Sequence, residues 1–284
     1  MFKRALAGIL NRFGYEIRNI SGIPEDRPPA WMLPDEELAE DDERPGECVS
    51  SAPEMVTGAH RPSRLVYRRR SFGEDTRIKY VASFLDVRGL RTLELGPCEA
   101  YWSVLLEKLG VRENLAIELR PENMAKCERL KALHHLDHTT FIEQNIESLY
   151  RGIETPAYSG PFDLVFCLGL LYHFPDPAKA LTWCRSQAPR LFLGTHYFEP
   201  AESRRYIPEV FHETEYVEAG KTYRGMAFRE GGIGDPISGA SAFSFWPRQA
   251  DLIAMVRDAG YTRVEVLGRD FVNRMPHLTL IAEA

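Results

Sequence analysis

The stretch that most limits what this chain can fold into is Thr92-Leu93-Glu94-Leu95-Gly96-Pro97-Cys98-Glu99-Ala100-Tyr101. An apolar run ending in Glu-Leu-Gly reads as a buried strand that turns sharply into a helix. Such a turn is where α/β sheets bind nucleoside cofactors. A second apolar run, Leu115-Ala116-Ile117-Glu118, ends in an acid 22 residues beyond Gly96. That is about the spacing at which a carboxylate meets a ribose hydroxyl pair.

Helical and strand periods alternate around these two runs. The spacing of apolar residues predicts helices over 76–84, 102–109, 121–136, 177–187 and 248–259. It predicts strands over 91–95, 114–118, 140–143, 164–168, 190–194, 262–267 and 277–282. Pro121 and Glu122 make a favourable first turn for the third helix. Alternation of this kind implies an α/β fold with a mainly parallel sheet and helices on both faces. Residues 200–247 break the pattern. They are rich in Gly, Tyr, Phe and Arg, include Gly231-Gly232-Ile233-Gly234-Asp235-Pro236, and are too long for a simple connection, so they are expected to be a lid or a substrate wall.

A third motif, Phe162-Asp163-Leu164-Val165-Phe166-Cys167-Leu168-Gly169-Leu170-Leu171-Tyr172-His173-Phe174-Pro175-Asp176-Pro177, is a buried strand running into an aromatic, His-bearing loop before a new helix. With it the chain resembles the class I S-adenosylmethionine-dependent methyltransferases over roughly residues 72–198, with a tail to 284. The resemblance implies a Rossmann-like, seven-stranded, mostly parallel sheet in the order 3-2-1-4-5-7-6, its last strand antiparallel. One departure stands out: Cys98 and Ala100 occupy positions where that family usually has its second and third glycines. Small side chains still let a backbone approach a ligand, at a cost of about 1 kcal/mol or more if φ is positive. The departure also argues against a dinucleotide, whose pyrophosphate needs the closest backbone approach.

The resemblance also implies roles for individual residues. Gly96 and its neighbour Cys98 would line the methionine part of S-adenosylmethionine, Glu118 would hold the ribose hydroxyls, and Asn145 with Ile146 would flank adenine. Glu94 would either assist the amino group or brace the turn. Leu168 to His173 should edge the transferred methyl group, because ligands bind beyond the carboxyl ends of strands. His173 has the position of a general base, although a loop imidazole can equally bond a neighbouring backbone group. His196, at the end of the fifth strand, is a second catalytic candidate.

The cluster His134-His135-x-x-His138 completes no recognised zinc spacing, and no metal is expected. Five scattered cysteines without a Cys-x-x-Cys pair look like a reducing cytoplasm, and no run of 18 apolar residues exists to span a membrane. Residues 1–20 place Phe2, Leu6, Ile9, Leu10 and Phe13 at helical spacing among basic residues. This amphipathic helix suits either the inner face of a membrane or a partner surface. From 21 to 62 there are eleven acidic residues against three arginines, and seven prolines, the composition of an irregular acidic linker. A basic run, Arg61, Arg64 and Arg68 to Arg70, follows before a catalytic domain over 71–284.

The leading expectation is O-methylation of a small molecule or glycan precursor. A tRNA wobble-uridine methyl or carboxymethyl transferase is the alternative within the fold. RNA contact is favoured by Arg68 to Arg70 but opposed by a pI near 5.8. A non-catalytic binding module of the same fold is the third reading, supported only by the missing glycines.

Overall fold

The computed structural model describes residues 77–206, 212–232, 238–272 and 275–284. The expectations for residues 1–20, the acidic linker and the basic run lie outside the described residues. The chain divides into two units, Met1–Leu85 and Asp86–Ala284. Of the first, helix α1 (Arg77–Phe84) is described.

The second unit is built on one seven-stranded sheet. Its strands are β1 (Arg91–Leu95), β2 (Glu113–Glu118), β3 (Thr139–Glu143), β4 (Leu164–Leu168), β5 (Arg190–His196), and a late pair, here β9 (Arg263–Val272) and β10 (Met275–Glu283). The order is β3-β2-β1-β4-β5-β10-β9, with β10 antiparallel to both neighbours and the others parallel. This is the expected 3-2-1-4-5-7-6 arrangement, with three extra strands placed between the fifth and the final pair. Helices α2 (Tyr101–Leu109), α3 (Pro121–His134), α4 (Ile146–Tyr150) and α5 (Pro177–Gln187) make the crossovers.

Central strands are apolar because both of their faces are covered. Leu93, Leu115, Val165, Leu191, Leu193, Leu278 and Leu280 share one cluster. On the opposite face Phe166 stacks on Phe192 at 5.4 Å and meets Trp102 of α2 at 5.8 Å. Each such buried side chain contributes about 1.5–3 kcal/mol over its exposed state. Helix α3 stops two residues earlier than its apolar pattern suggests, because His135 turns left-handed at φ 52° and its amide caps the Lys131 carbonyl.

The segment over 200–247 carries regular structure that its composition does not announce. It holds helix α6 (Pro200–Tyr206) and a separate antiparallel sheet of β6 (His212–Glu218), β7 (Lys221–Arg229) and β8 (Phe243–Pro247). Ala219 and Gly220 both have positive φ, as the two-residue turn of a tight hairpin requires. The strands are hard to see in the sequence because β6 is largely exposed and lacks an apolar alternation. Helix α7 (Gln249–Asp258) leads from β8 back to the main sheet. The small sheet is tied to the core where the Phe245 amide donates to the Phe174 carbonyl at 3.0 Å and the Phe198 amide to the Pro247 carbonyl at 2.8 Å.

Candidate active site

The turn after β1 lies at the carboxyl edge of the sheet. Gly96 donates its amide to the Ile117 carbonyl at 2.9 Å. Its φ is +66°, and a Cβ added there would meet Leu170 Cδ1 at 3.1 Å. Glycine is therefore favoured both by conformation and by the close approach of Leu170. Cys98 and Ala100 also take positive φ, 55° and 56°, so the chain keeps the glycine-like conformation without the glycines.

Glu118, at the end of β2, closes this turn. Its Oε2 accepts from the Cys98 amide at 3.0 Å, and its Oε1 accepts from the Leu119 and Arg120 amides at 2.9 and 3.0 Å. A carboxylate gripping three backbone N–H groups is fixed in direction.

Glu94 sits beneath the turn and is 1% exposed. Its Oε2 accepts from Ser103 Oγ at 2.6 Å and from Asn114 Nδ2 at 2.7 Å, which locks β1 to α2 and β2. Its other oxygen, Oε1, is buried with no hydrogen-bond partner. Burial pushes its carboxyl up to about 7, against the pull of the two donors. Oε2 thus braces the turn, while Oε1 is left without a hydrogen-bond partner.

Asn145 caps α4, its Oδ1 accepting from the Glu147 amide at 2.9 Å, while Ile146 packs into the main core. Leu168 ends β4 opposite Gly194 and is buried. The chain then makes a single 3₁₀ turn, Leu171–His173. The side chain of His173 is 15% exposed, and its Nδ1 lies 3.1 Å from Oε2 of Glu230. Sequence reasoning missed Glu230, which lies 57 residues further on, just past β7, with no motif to mark it.

His196 is placed differently. It is buried, with Nδ1 3.1 Å from the Pro276 carbonyl, and its ring stacks on Trp246 at 5.2 Å. Tyr172 meets it edge-on at 4.6 Å and lies 4.1 Å from the His173 ring. The two candidate histidines are therefore brought to one region, bridged by Tyr172. His138 is engaged by α2, its Nδ1 lying 2.8 Å from Glu107 Oε1.

A family model described as a methyltransferase domain matches residues 67–266. Ubiquinone biosynthesis O-methyltransferases of Xanthomonas euvesicatoria and Xanthomonas oryzae are each 34% identical over 128 residues, which is 44% of this chain and 51% of theirs. The chain therefore spans about half the length of the curated relatives it matches. Among solved structures, the N-terminal domain of EvdMO1 with S-adenosylhomocysteine bound is 25% identical with a TM-score of 0.56, covering 69% of this chain and 75% of that one. Magnesium protoporphyrin IX methyltransferase from Synechocystis, also with S-adenosylhomocysteine bound, shares the fold at 15% identity and a TM-score of 0.51, covering 74% and 80%. Fold, turn and family match agree: this chain belongs to the class I S-adenosylmethionine-dependent methyltransferases.

Proposed function

We propose that this methyltransferase acts on a hydroxyl oxygen of a small molecule or glycan precursor, with His173 as the base. The observation that carries this reading is the His173 ring, partly open beyond the end of β4, with one nitrogen engaged by a carboxylate. Two comparisons support the acceptor class. The Xanthomonas relatives are named for O-methylation in ubiquinone biosynthesis, and the EvdMO1 domain was also crystallised in the presence of D-fucose.

The residues present suit the cofactor. The orphaned Oε1 of Glu94 is matched to the ammonium group, and the left-handed turn Gly96-Pro97-Cys98 to the methionine chain. Glu118 takes the ribose hydroxyls, while Asn145, whose Nδ2 is not used by the helix cap, and Ile146 flank adenine. Leu168 edges the methyl end. When bound, S-adenosylmethionine supplies an electrophilic methyl carbon and a neutral thioether leaving group. The protein orients the two partners, and Nε2 of His173 accepts the hydroxyl proton as the new bond to oxygen forms. His196, held between the Pro276 carbonyl and Trp246, serves as part of the aromatic wall beside the acceptor.

Incubation with isotopically labelled methyl donor and a panel of phenols, sugars and tRNA, read by mass spectrometry, tests the acceptor. Label on a phenolic or sugar oxygen is expected, and label on tRNA alone would overturn the reading. His173→Ala should lower kcat by about 10²- to 10⁴-fold while cofactor affinity stays within about threefold. Full activity in that variant removes His173 from proton transfer.

A further inference from the structure

The segment after β7 meets the core at one buried carboxylate. Besides the His173 ring, Glu230 accepts from Ser238 Oγ at 2.6 Å, the Gly239 amide at 2.8 Å and Ser244 Oγ at 2.6 Å. Its side chain is 2% exposed. Burial works to raise its carboxyl, but the hydrogen bonds from the His173 ring and the two serine hydroxyls hold it below the ordinary value. An ionised carboxylate can only accept, so Nδ1 of His173 must carry a proton. The neutral ring then keeps its lone pair on Nε2.

The residues beside this carboxylate are pinned to three neighbouring loops. Arg120 Nη2, after β2, donates to the Ser238 carbonyl at 2.5 Å. Ser241 Oγ donates to Oε1 of Glu147, after β3, at 2.6 Å. Gly239 lies so close to the turn after β4 that a Cβ there would meet the His173 carbonyl at 2.5 Å. Residues 238–241 therefore cross the carboxyl ends of β2, β3 and β4, where the cofactor residues lie.

We infer that Glu230 is the positioning residue of the reaction, holding His173 in its Nδ1–H tautomer, and that residues 238–241 are a strap over the cofactor cleft held down by the same carboxylate. This rests on His173 being the base. One group then couples the two events: the base is aligned only when the strap is down.

Nitrogen-15 NMR of selectively labelled wild-type protein tests this without any variant. The neutral His173 ring should be protonated on Nδ1, and a ring protonated on Nε2 overturns the inference. Glu230→Gln should shift that tautomer and cut kcat by roughly 10- to 1000-fold. In the same variant the Gly239 amide should exchange with solvent faster, because its acceptor has lost its charge. Glu230→Asp, which keeps the charge, should retain more of both tautomer and rate, and decides the matter if the Gln variant does not fold. Wild-type kcat and an unchanged ring in Glu230→Gln would overturn the positioning role even where His173→Ala is inactive. An active His173→Ala would instead sink the base assignment beneath it. Unchanged exchange at Gly239 would overturn the strap.

Discussion

The Cys98 amide donates to the Glu118 carboxylate at 3.0 Å, so the turn after β1 and the end of β2 form one hydrogen-bonded unit. The carboxylate assigned to the ribose is therefore also the clamp that shapes the turn assigned to the methionine chain. Loss of the clamp takes the side-chain acceptor from three backbone donors.

Glu118→Ala is expected to lower the stability of the ligand-free protein by about 1–3 kcal/mol, the cost of leaving partly buried donors unmade. Wild-type protein with S-adenosylhomocysteine at 100 times its dissociation constant should gain about 2.7 kcal/mol. The variant should gain almost none at the same concentration. Thermal shift with and without ligand reads both effects, and an undiminished ligand shift in the variant would detach Glu118 from the cofactor.

Cys98 adopts a left-handed conformation at φ 55°, which costs an L-residue about 1 kcal/mol. Its side chain is only partly buried, so removing it forfeits little packing. Cys98→Gly is therefore expected to leave the protein equally stable or up to about 1 kcal/mol more stable. Cys98→Val, branched at Cβ, should destabilise it by more than about 1 kcal/mol. Denaturant midpoints of the two variants decide this.

Glu94 is raised by burial from 4.5 to about 7. A carboxyl raised in the folded state gives stability that is fully present below its unfolded value and is lost as pH climbs through its folded one. Between about pH 4.5 and 7 this group should cost the wild-type protein up to about 1.4 kcal/mol per pH unit, and nothing further above that window. Glu94→Gln should lack this slope. If Oε1 receives the ammonium of the cofactor, the cation draws the carboxyl back down, and binding near pH 6 releases a proton. Calorimetry in buffers of different ionisation enthalpy should detect that release in wild type and not in Glu94→Gln; equal proton release in both would leave Glu94 a brace only.

Much of this site is legible in the sequence because its parts are local. Gly96 and Glu118 end apolar strands in adjacent βα units, and Asn145 stands at a helix start, so chain spacing alone puts them at one sheet edge. The same alternation makes the sheet mainly parallel, since parallel neighbours need crossover helices, whereas the strand order is what the resemblance to the methyltransferases implies. Cys98 and Ala100 were a matter of conformation rather than of residue type: the left-handed backbone is imposed by the Glu118 clamp and by the turn into α2, and no propensity of Cys or Ala announces it.

By itself, then, the sequence determined the strands and helices of the main sheet and the His-bearing turn after the fourth strand, because short-range apolar periods write out strands and helices directly. Tertiary structure alone decided which groups serve that histidine. Glu230 reaches it from 57 residues away, by way of the β6–β7 hairpin, whose exposed first strand carries no apolar rhythm. It also separated His196, stacked against Trp246, from His173, held by a carboxylate, although both look alike as loop or strand-end imidazoles. The physical reason is the same in each case: the character of a buried polar side chain is set by the partners that folding brings to it, and those partners lie far away along the chain.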